Sequence, residues 1–391
     1  MLSDLMYLKN KNIIILSIVK WGKMRVSKHH YALELAAADN IVYYVEPPEV
    51  NLKTSFQIRK SDENYNLFII SYKPIARGKR FLPNVIFKIL EWYQSKWLLK
   101  KIEITPDIIL SFDPYRFSNL GWFNADVSIF FAADLYKSNH VPGEVLTANF
   151  CLGVSITIVQ LLKHGNEKSF LIKHGLNSAF VKLAEKQLDN FSQQNDAQSI
   201  TIGYTGNLLI GSLNRKAMMQ VINEHPEIRF VFWGQYKSAQ DNAMVGDAND
   251  IWDFITFLER CPNVELRGPK NQNELARELL RADIFWLCYD TSHSWAVDGS
   301  NSHKILEYLA TGRPVISTYI SSYLNTDLLY MQEANDNKQF SDFFKSTIES
   351  LNGSENPERA QKRIGFALSN TYRHRINEID LMISEVKNKR D

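Results

Sequence analysis

Residues 301–318, NSHKILEYLATGRPVIST, read as loop, short helix, tight turn and strand. Asn301 or Ser302 can cap a helix that begins near His303. Ile305, Leu306, Leu309 and Ala310 fall at i, i+1, i+4 and i+5, which predicts one buried stripe. Glu307 falls on the other side, and His303 and Lys304, four and three residues before it, share its face. Gly312 stands where a left-handed residue would end the helix, and Pro314 cannot continue it. Residues 315–318 then form the next strand.

The same alternation runs outward in both directions. Apolar runs stand at 13–19, 41–47, 66–72, 107–113, 127–133 and 153–159, then at 201–206, 228–234, 264–268, 284–290 and 314–319. They are β-branched or aromatic and apolar on both faces, as strands of a parallel sheet covered by helices are. Helical patterns fall between them, at 29–38, 82–101, 213–224, 251–260, 272–281 and 303–311. Two blocks of strand and helix predict an α/β protein of two Rossmann-like, doubly wound domains. The polar stretch 186–199, KQLDNFSQQNDAQS, marks the boundary. The expected division is residues 1–185, residues 200–356 and a helical tail, 357–391, packing back toward the first domain.

The 301–318 unit suits a nucleotide diphosphate. A helix N-terminus offers free N–H groups and partial positive charge to phosphate. Lys304 adds a cation in the first turn, where it opposes the helix dipole unless an anion is present. Glu307, one turn in, can accept hydrogen bonds from ribose hydroxyls. An ordinary βα unit with a surface Lys–Glu pair is the alternative.

Composition bounds the rest. The 391 residues are 45% hydrophobic and 23% charged, ordinary for a globular chain. Cys151, Cys261 and Cys288 are widely spaced and form no CxxC pair, which suits a reducing cytoplasm. No apolar run reaches the roughly 20 residues that span a bilayer. Residues 1–180 hold 22 Lys/Arg against 15 Asp/Glu, whereas the remainder holds 23 against 28. The first half is therefore basic and the second acidic, which fits mutual attraction of domains or an anionic surface met by the first half alone.

With these motifs in place, the chain resembles the GT-B glycosyltransferases, in particular the group-1, GT4-like family of cell-surface polysaccharide enzymes. Members often read P-x-K-x-x-E-Y-x-A-x-G-x-P-V where this chain has residues 301–318. YTGN (204–207) resembles the glycine turn that opens the second domain, and RFVFWG (229–234) its second strand. Residues 264–290 resemble the strand, helix and strand before the donor motif. KHGLNSAF (173–180) resembles the end of the first domain, and residues 21–48 an N-terminal block of such enzymes. Many members carry two glutamates with seven residues between them. The second corresponds to Glu307, and the first would fall at Gly299, one position from Asp298.

The resemblance implies two domains facing a central cleft, a nucleotide sugar held by the second and a saccharide or lipid-linked acceptor by the first. It implies no metal and no cofactor beyond that co-substrate. For the donor it nominates Lys304, Glu307, His303, Ser302 and Asn301, with Tyr289, Asn207 and Gly206 lining the cleft and Arg215, beside Lys216, on the diphosphate. Asp290 follows Tyr289 at the same strand end. Asp134, after the run VSIFFAA, is the candidate acceptor base, with His30 beside it as a catalytic candidate. His29, the Gly22 loop and Asp113 are acceptor-side candidates. A capping Asp134 and surface histidines are the plainer readings.

Residues 73–101 carry Lys73, Arg77, Lys79, Arg80, Lys88, Lys96, Lys100 and Lys101 against one acid, Glu91. Leu82, Val85, Ile86, Ile89, Tyr93 and Trp97 make a stripe expected to pack on the sheet. Phe81, Lys88, Trp92 and Leu99 lie elsewhere on the wheel. A basic helix with exposed aromatics fits an anionic membrane surface, which would make the protein peripheral on the inner face of the plasma membrane. A core helix with a basic rim is the alternative, and nothing resembles a nucleic-acid module. Two other activities stay open: a sugar-nucleotide epimerase of the same fold, and a non-catalytic binding subunit. No GxGxxG follows an early strand, which argues against a Rossmann dehydrogenase.

Overall fold

The apolar runs assemble into two parallel sheets in the computed structural model. It describes residues 5–22, 25–75, 83–135, 141–190, 200–237, 248–291, 303–333, 339–351 and 356–388. The chain separates into two compact units, residues 1–175 with 372–391, and residues 176–371.

The first unit begins with β1 (Asn12–Leu16), α1 (Ser27–Ala37), β2 (Ile41–Val45), β3 (Phe56–Lys60), β4 (Leu67–Tyr72) and α2 (Asn84–Ile102). It continues with β5 (Ile108–Ser111), β6 (Val127–Ala132), α3 (Gly143–Thr147), β7 (Phe150–Gly153), α4 (Ile156–Lys163) and β8 (Ser169–Leu171). The sheet order is β3-β4-β2-β1-β5-β6-β7-β8. All neighbours pair parallel except β3, which runs antiparallel to β4 at the edge. Every residue of β5 and β6 is buried, which is why these runs read as continuous apolar segments.

The second unit holds α5 (Ser178–Asn190), β9 (Thr201–Thr205), α6 (Arg215–Glu224), β10 (Arg229–Trp233), α7 (Ala248–Arg260), β11 (Val264–Leu266) and α8 (Gln272–Leu279). It goes on to β12 (Ile284–Leu287), α9 (His303–Leu309), β13 (Val315–Ser317), β14 (Tyr330–Met331), α10 (Phe340–Leu351) and α11 (Pro357–Leu368). Its strand order, β11-β10-β9-β12-β13-β14, is the 3-2-1-4-5-6 order of a Rossmann sheet. The order reverses between β9 and β12, so a crevice opens beyond their carboxyl ends.

The last helix, α12 (Tyr372–Asn388), belongs to the first unit. It adds Tyr372, Ile376, Ile379 and Ile383 to that unit's core. Its Asp380 accepts from the backbone N–H groups of Met6, Tyr7 and Leu8 at 2.9, 2.8 and 2.6 Å. The tail expected as one piece, 357–391, is thus divided, because α11 packs with the second unit. The break before residue 176 also precedes the polar stretch: 186–190 end α5, and 191–199 lie outside the described residues.

Three sequence expectations change. The run GVSITIV (153–159) is not a strand. β7 ends at Gly153, and the Ser155 side chain accepts from Ile158 N to start α4. The short strands β3, β8 and β14 were not visible as apolar runs. β3 is mostly exposed, and β8 and β14 span three and two residues. The third change concerns α2. Among its described residues, the stripe expected inside is outside: Val85, Ile86, Ile89 and Tyr93 are exposed, and Glu91, Gln94, Ser95, Leu98 and Ile102 are buried. Trp97 alone of that stripe packs inward, edge-on to Phe56 at 5.9 Å. Leu82 lies outside the described residues. Among these residues no helix is long and apolar enough to cross a membrane.

Candidate functional site

In the second unit the site grows from the ends of three adjacent strands. β9, β10 and β11 run into Gly206, Gly234 and Gly268. Gly206 N donates to Trp233 O at 2.8 Å, and Gly234 N to Gly268 O at 3.0 Å, so the strand ends stay in register. Both Gly206 (φ 131°) and Gly234 (φ 149°) adopt backbone conformations that side chains avoid. A Cβ on Gly234 would sit 1.9 Å from the Gly206 carbonyl oxygen. A Cβ on Gly206 would sit 2.6 Å from Lys304 Nζ. The glycine turn therefore clears a slot that the Lys304 ammonium occupies.

Lys304 is buried and held on three sides. Its Nζ donates to Tyr204 Oη at 3.2 Å and lies 4.8 and 5.6 Å from the ring centroids of Tyr204 and Tyr289. Burial opposes its charge, but the phenol oxygens of Tyr204, Tyr289 and Tyr308 outweigh that and raise its pKa above the ordinary lysine value. The ammonium thus stays charged at the switch point of the sheet, between the ends of β9 and β12.

Glu307 is buried, not on a solvent face as its wheel position implied; all of residues 304–310 are buried. The expected stripe of Ile305, Leu306, Leu309 and Ala310 is part of this core, and Gly312 (φ 75°) ends the unit. Tyr308 anchors the helix from below. It stacks on Phe285 at 4.3 Å and its Oη accepts from Thr205 N at 2.7 Å. Asn177 Nδ2 donates to Glu307 Oε1 at 3.1 Å, while its Oδ1 accepts from Ala179 N at the start of α5. Burial pushes the Glu307 carboxyl up to about 8, with Lys304 and then Asn177 pulling it back.

The remaining donor-side candidates divide. Tyr289 is buried; its N–H donates to Thr318 Oγ1 at 3.0 Å, and its ring faces Lys304. Asp290 N donates to Ser212 O at 2.9 Å. Asn207 shapes the turn, its Oδ1 accepting from Leu209 N at 2.9 Å. Arg215 is buried and directed at its own loop. It donates to Leu208 O and Ile210 O at 3.3 and 2.5 Å and pairs with Asp250 at 3.3 Å. Its guanidinium therefore holds the loop after β9, and its neighbour Lys216 is the exposed cation there. Asn301 and Ser302 lie outside the described residues, as does the His303 side chain.

In the first unit, candidates gather at the N-terminus of α1 and the ends of β5 and β6. Asp113 is buried and paired with Arg116, and its Oδ1 accepts from Tyr115 N at 2.8 Å. Arg116 also donates to Ser17 O at 2.6 Å, Tyr72 Oη at 2.8 Å and Glu46 O at 3.2 Å. The pair clasps the ends of β1, β2 and β4 rather than offering Asp113 to a ligand. Asp134 is exposed beyond β6, yet the protein crowded around it raises its pKa, with Lys28 opposing. Lys28, buried in the first turn of α1, was not singled out by sequence. Burial lowers its pKa against the pull of Asp134 and Asp113. A lysine opposing the helix dipole was the signal that could have found it.

Neither histidine is a surface residue. His30 stacks on Tyr372 at 4.9 Å. His29 is fully buried and uses both ring nitrogens: Nδ1 accepts from Val26 N at 3.0 Å, and Nε2 faces Lys20 O at 3.1 Å, which assigns the proton to Nε2. Trp21 meets its ring edge-on at 5.1 Å and Tyr44 stacks on it at 5.3 Å. His29 thus pins the loop before α1, with exposed Gly22 at its tip. Burial, then Arg25, lower its pKa to about 3. Its folded pKa lies below the unfolded value of about 6.5. The unfolded chain binds the extra proton between those values, so this contribution to stability is complete above pH about 6.5 and falls as pH drops toward 3. His29→Ala should lower unfolding stability by about 3 kcal/mol at neutral pH and flatten the acid slope. Urea titrations across pH would show both, and an unchanged slope would remove His29 from this role.

Comparison with known proteins places the fold. No family model matches the chain. No curated protein matches it either. Solved structures do. HepE from Anabaena, in complex with UDP and glucose, is 12% identical with a TM-score of 0.62, covering 97% of this chain and 99% of that one. Sucrose-phosphate synthase from Thermosynechococcus elongatus is 12% identical at TM-score 0.63, covering 97% and 98%. A glycosyltransferase from Rickettsia africae is 15% identical at TM-score 0.63, covering 96% and 99%. The chain shares with them the GT-B fold, two Rossmann-like units each built on a parallel sheet.

Proposed function

We propose that this chain is a glycosyltransferase that moves a hexose from a nucleotide-diphosphate sugar to a saccharide acceptor, free or lipid-linked. One observation carries the reading: the Lys304 ammonium is held at the Rossmann switch point in a slot that Gly206 leaves open for it. A buried cation beside bare backbone suits a diphosphate. HepE, similar in fold, was solved with UDP and glucose, which makes UDP-glucose the first donor to try. Transfer breaks the bond between the sugar's anomeric carbon and the diphosphate oxygen, and forms one to the acceptor oxygen. The charge left on the diphosphate meets Lys304. Glu307, oriented by Asn177, accepts hydrogen bonds from the donor's hydroxyls. Asp134, exposed and with a raised pKa, takes the acceptor's proton. The reading sets the protein in the cytoplasm, where its three free cysteines stay reduced.

The test is a panel of UDP-, GDP-, ADP- and dTDP-sugars, read by thermal shift and by release of nucleoside diphosphate. One base should stabilise the protein and be turned over, slowly to water without acceptor. Asp134→Asn should keep the thermal shift and lower transfer about a hundredfold. Binding without turnover would make this a binding subunit. Release of a free epimer would make it an epimerase.

A further inference from the structure

Helix α2 buries its polar side chains and exposes its apolar ones. Glu91 is buried because it accepts from Phe117 N and Ser118 N at 3.1 Å each and from Ser118 Oγ at 2.7 Å. Gln94 is buried beside it, its Oε1 accepting from Ile75 N at 2.8 Å, and Ser95 donates to Trp92 O at 2.7 Å. On the opposite face Val85, Ile86, Ile89, Trp92 and Tyr93 are 70, 46, 58, 46 and 54% exposed. Their spacing, i, i+1, i+4, i+7 and i+8, makes them one contiguous stripe along the helix. Single exposed apolar residues are ordinary, but a contiguous stripe of five large ones marks a binding surface.

The charges around the stripe identify what covers it. Lys88, Lys100 and Lys101 are exposed, and the helix's one acid before its C-cap, Glu91, is turned inward. At 100° per residue Lys88 flanks the stripe, and Lys100 continues its line toward the C-terminal end. Trp92 and Tyr93 combine an apolar body with a polar tip, which suits the boundary between headgroups and acyl chains. A two-fold contact between copies would bring this basic face against an identical basic face, whereas an anionic bilayer neutralises its lysines.

We infer that the outer face of α2 is a docking surface for an anionic lipid bilayer. The helix lies in the plane of the interface, with Val85, Ile89 and Trp92 inserted and Lys88 and Lys100 at the level of the phosphates. Docking needs neither donor nor transfer. Joined to the glycosyltransferase reading, on which this last step rests, it names the acceptor class: a saccharide carried on a membrane lipid.

Flotation of the full chain with two vesicle types tests it. Phosphatidylcholine mixed with phosphatidylglycerol should carry the protein, and phosphatidylcholine alone should not. Raised salt should weaken binding. Ile89→Asp combined with Trp92→Asp should lower partition at least about tenfold, and Lys88→Glu a few-fold. Both acidic substitutions in the double variant fall on exposed positions, so its melting temperature and its donor-induced thermal shift should match wild type. Those controls separate failure of docking from failure of the donor site. Three results would each overturn the inference. The wild type stays off anionic vesicles, the double variant binds as the wild type does, or the double variant turns a wild-type dimer into monomer with no vesicle binding by either.

Discussion

Lys304→Met is expected to lower kcat/KM for the nucleotide sugar about a hundredfold or more. The unliganded chain should lose far less, a modest fraction of its stability. The two effects have separate causes. In the free protein the phenol oxygens of Tyr204, Tyr289 and Tyr308 favour the buried charge, so removing it forfeits those interactions. Methionine keeps the length and packing of the side chain and removes the charge. What turnover loses is the attraction of the ammonium for the donor's diphosphate. Steady-state kinetics and a urea midpoint without ligand measure the two halves separately. Lys304→Arg should rescue turnover poorly, because the ammonium packs close against Gly206 and a planar guanidinium fork does not reproduce its shape. Full turnover in the methionine variant would end the diphosphate assignment. A large loss of stability would make Lys304 a structural residue.

The second large effect is a proton released on donor binding. With its pKa pushed up to about 8 by burial, the Glu307 carboxyl is mostly protonated at neutral pH in the free protein. Donor hydroxyls hydrogen-bond best to the ionised form, so binding must expel the proton. Affinity should therefore rise about tenfold per pH unit below pH 8 and level off above it. A nucleotide sugar is the right probe, because its diphosphate has no group that titrates in this range. Calorimetry at neutral pH in buffers of different ionisation enthalpy should count close to one proton released. Glu307→Gln should bind more weakly and without pH dependence. The same group acts on folding. Its folded pKa exceeds the unfolded value near 4.5, so its contribution to unliganded stability is full below pH 4.5 and is lost as pH rises to 8. Affinity independent of pH, with no proton released, would show that Glu307 is not the donor's acceptor.

The two predictions draw on different parts of the molecule. Lys304 and Glu307 stand in one local segment, and their spacing alone marked them as a pair. The partners that set their chemistry are remote in sequence: Tyr204 lies 100 residues from Lys304, and Asn177 lies 130 from Glu307. Hydropathy periods report which way a helix faces, but not what stands opposite. For the same reason Arg215 read as a diphosphate ligand, though it is bound to the loop carbonyls after β9. Asp113 read as an acceptor-side candidate, and Arg116 three residues on pairs with it. Lys28 was passed over, although its place in the first turn of α1, against the helix dipole, was a local signal; its burial was not.

Local patterns by themselves determined the α/β class, the two parallel sheets and the position of the loop–helix–turn–strand unit. These depend on periods of apolar residues, on caps and on glycine turns, all carried within a few residues. Only the tertiary structure decided that residues 304–309 of α9 are all buried, that Glu307 is desolvated, and that α2 faces outward with its apolar stripe. The 3.6-residue period shows that two faces of a helix differ, and burial then depends on what each face meets. In α2 the backbone N–H groups of Ile75, Phe117 and Ser118 draw in Glu91 and Gln94, and the apolar face is left to the outside.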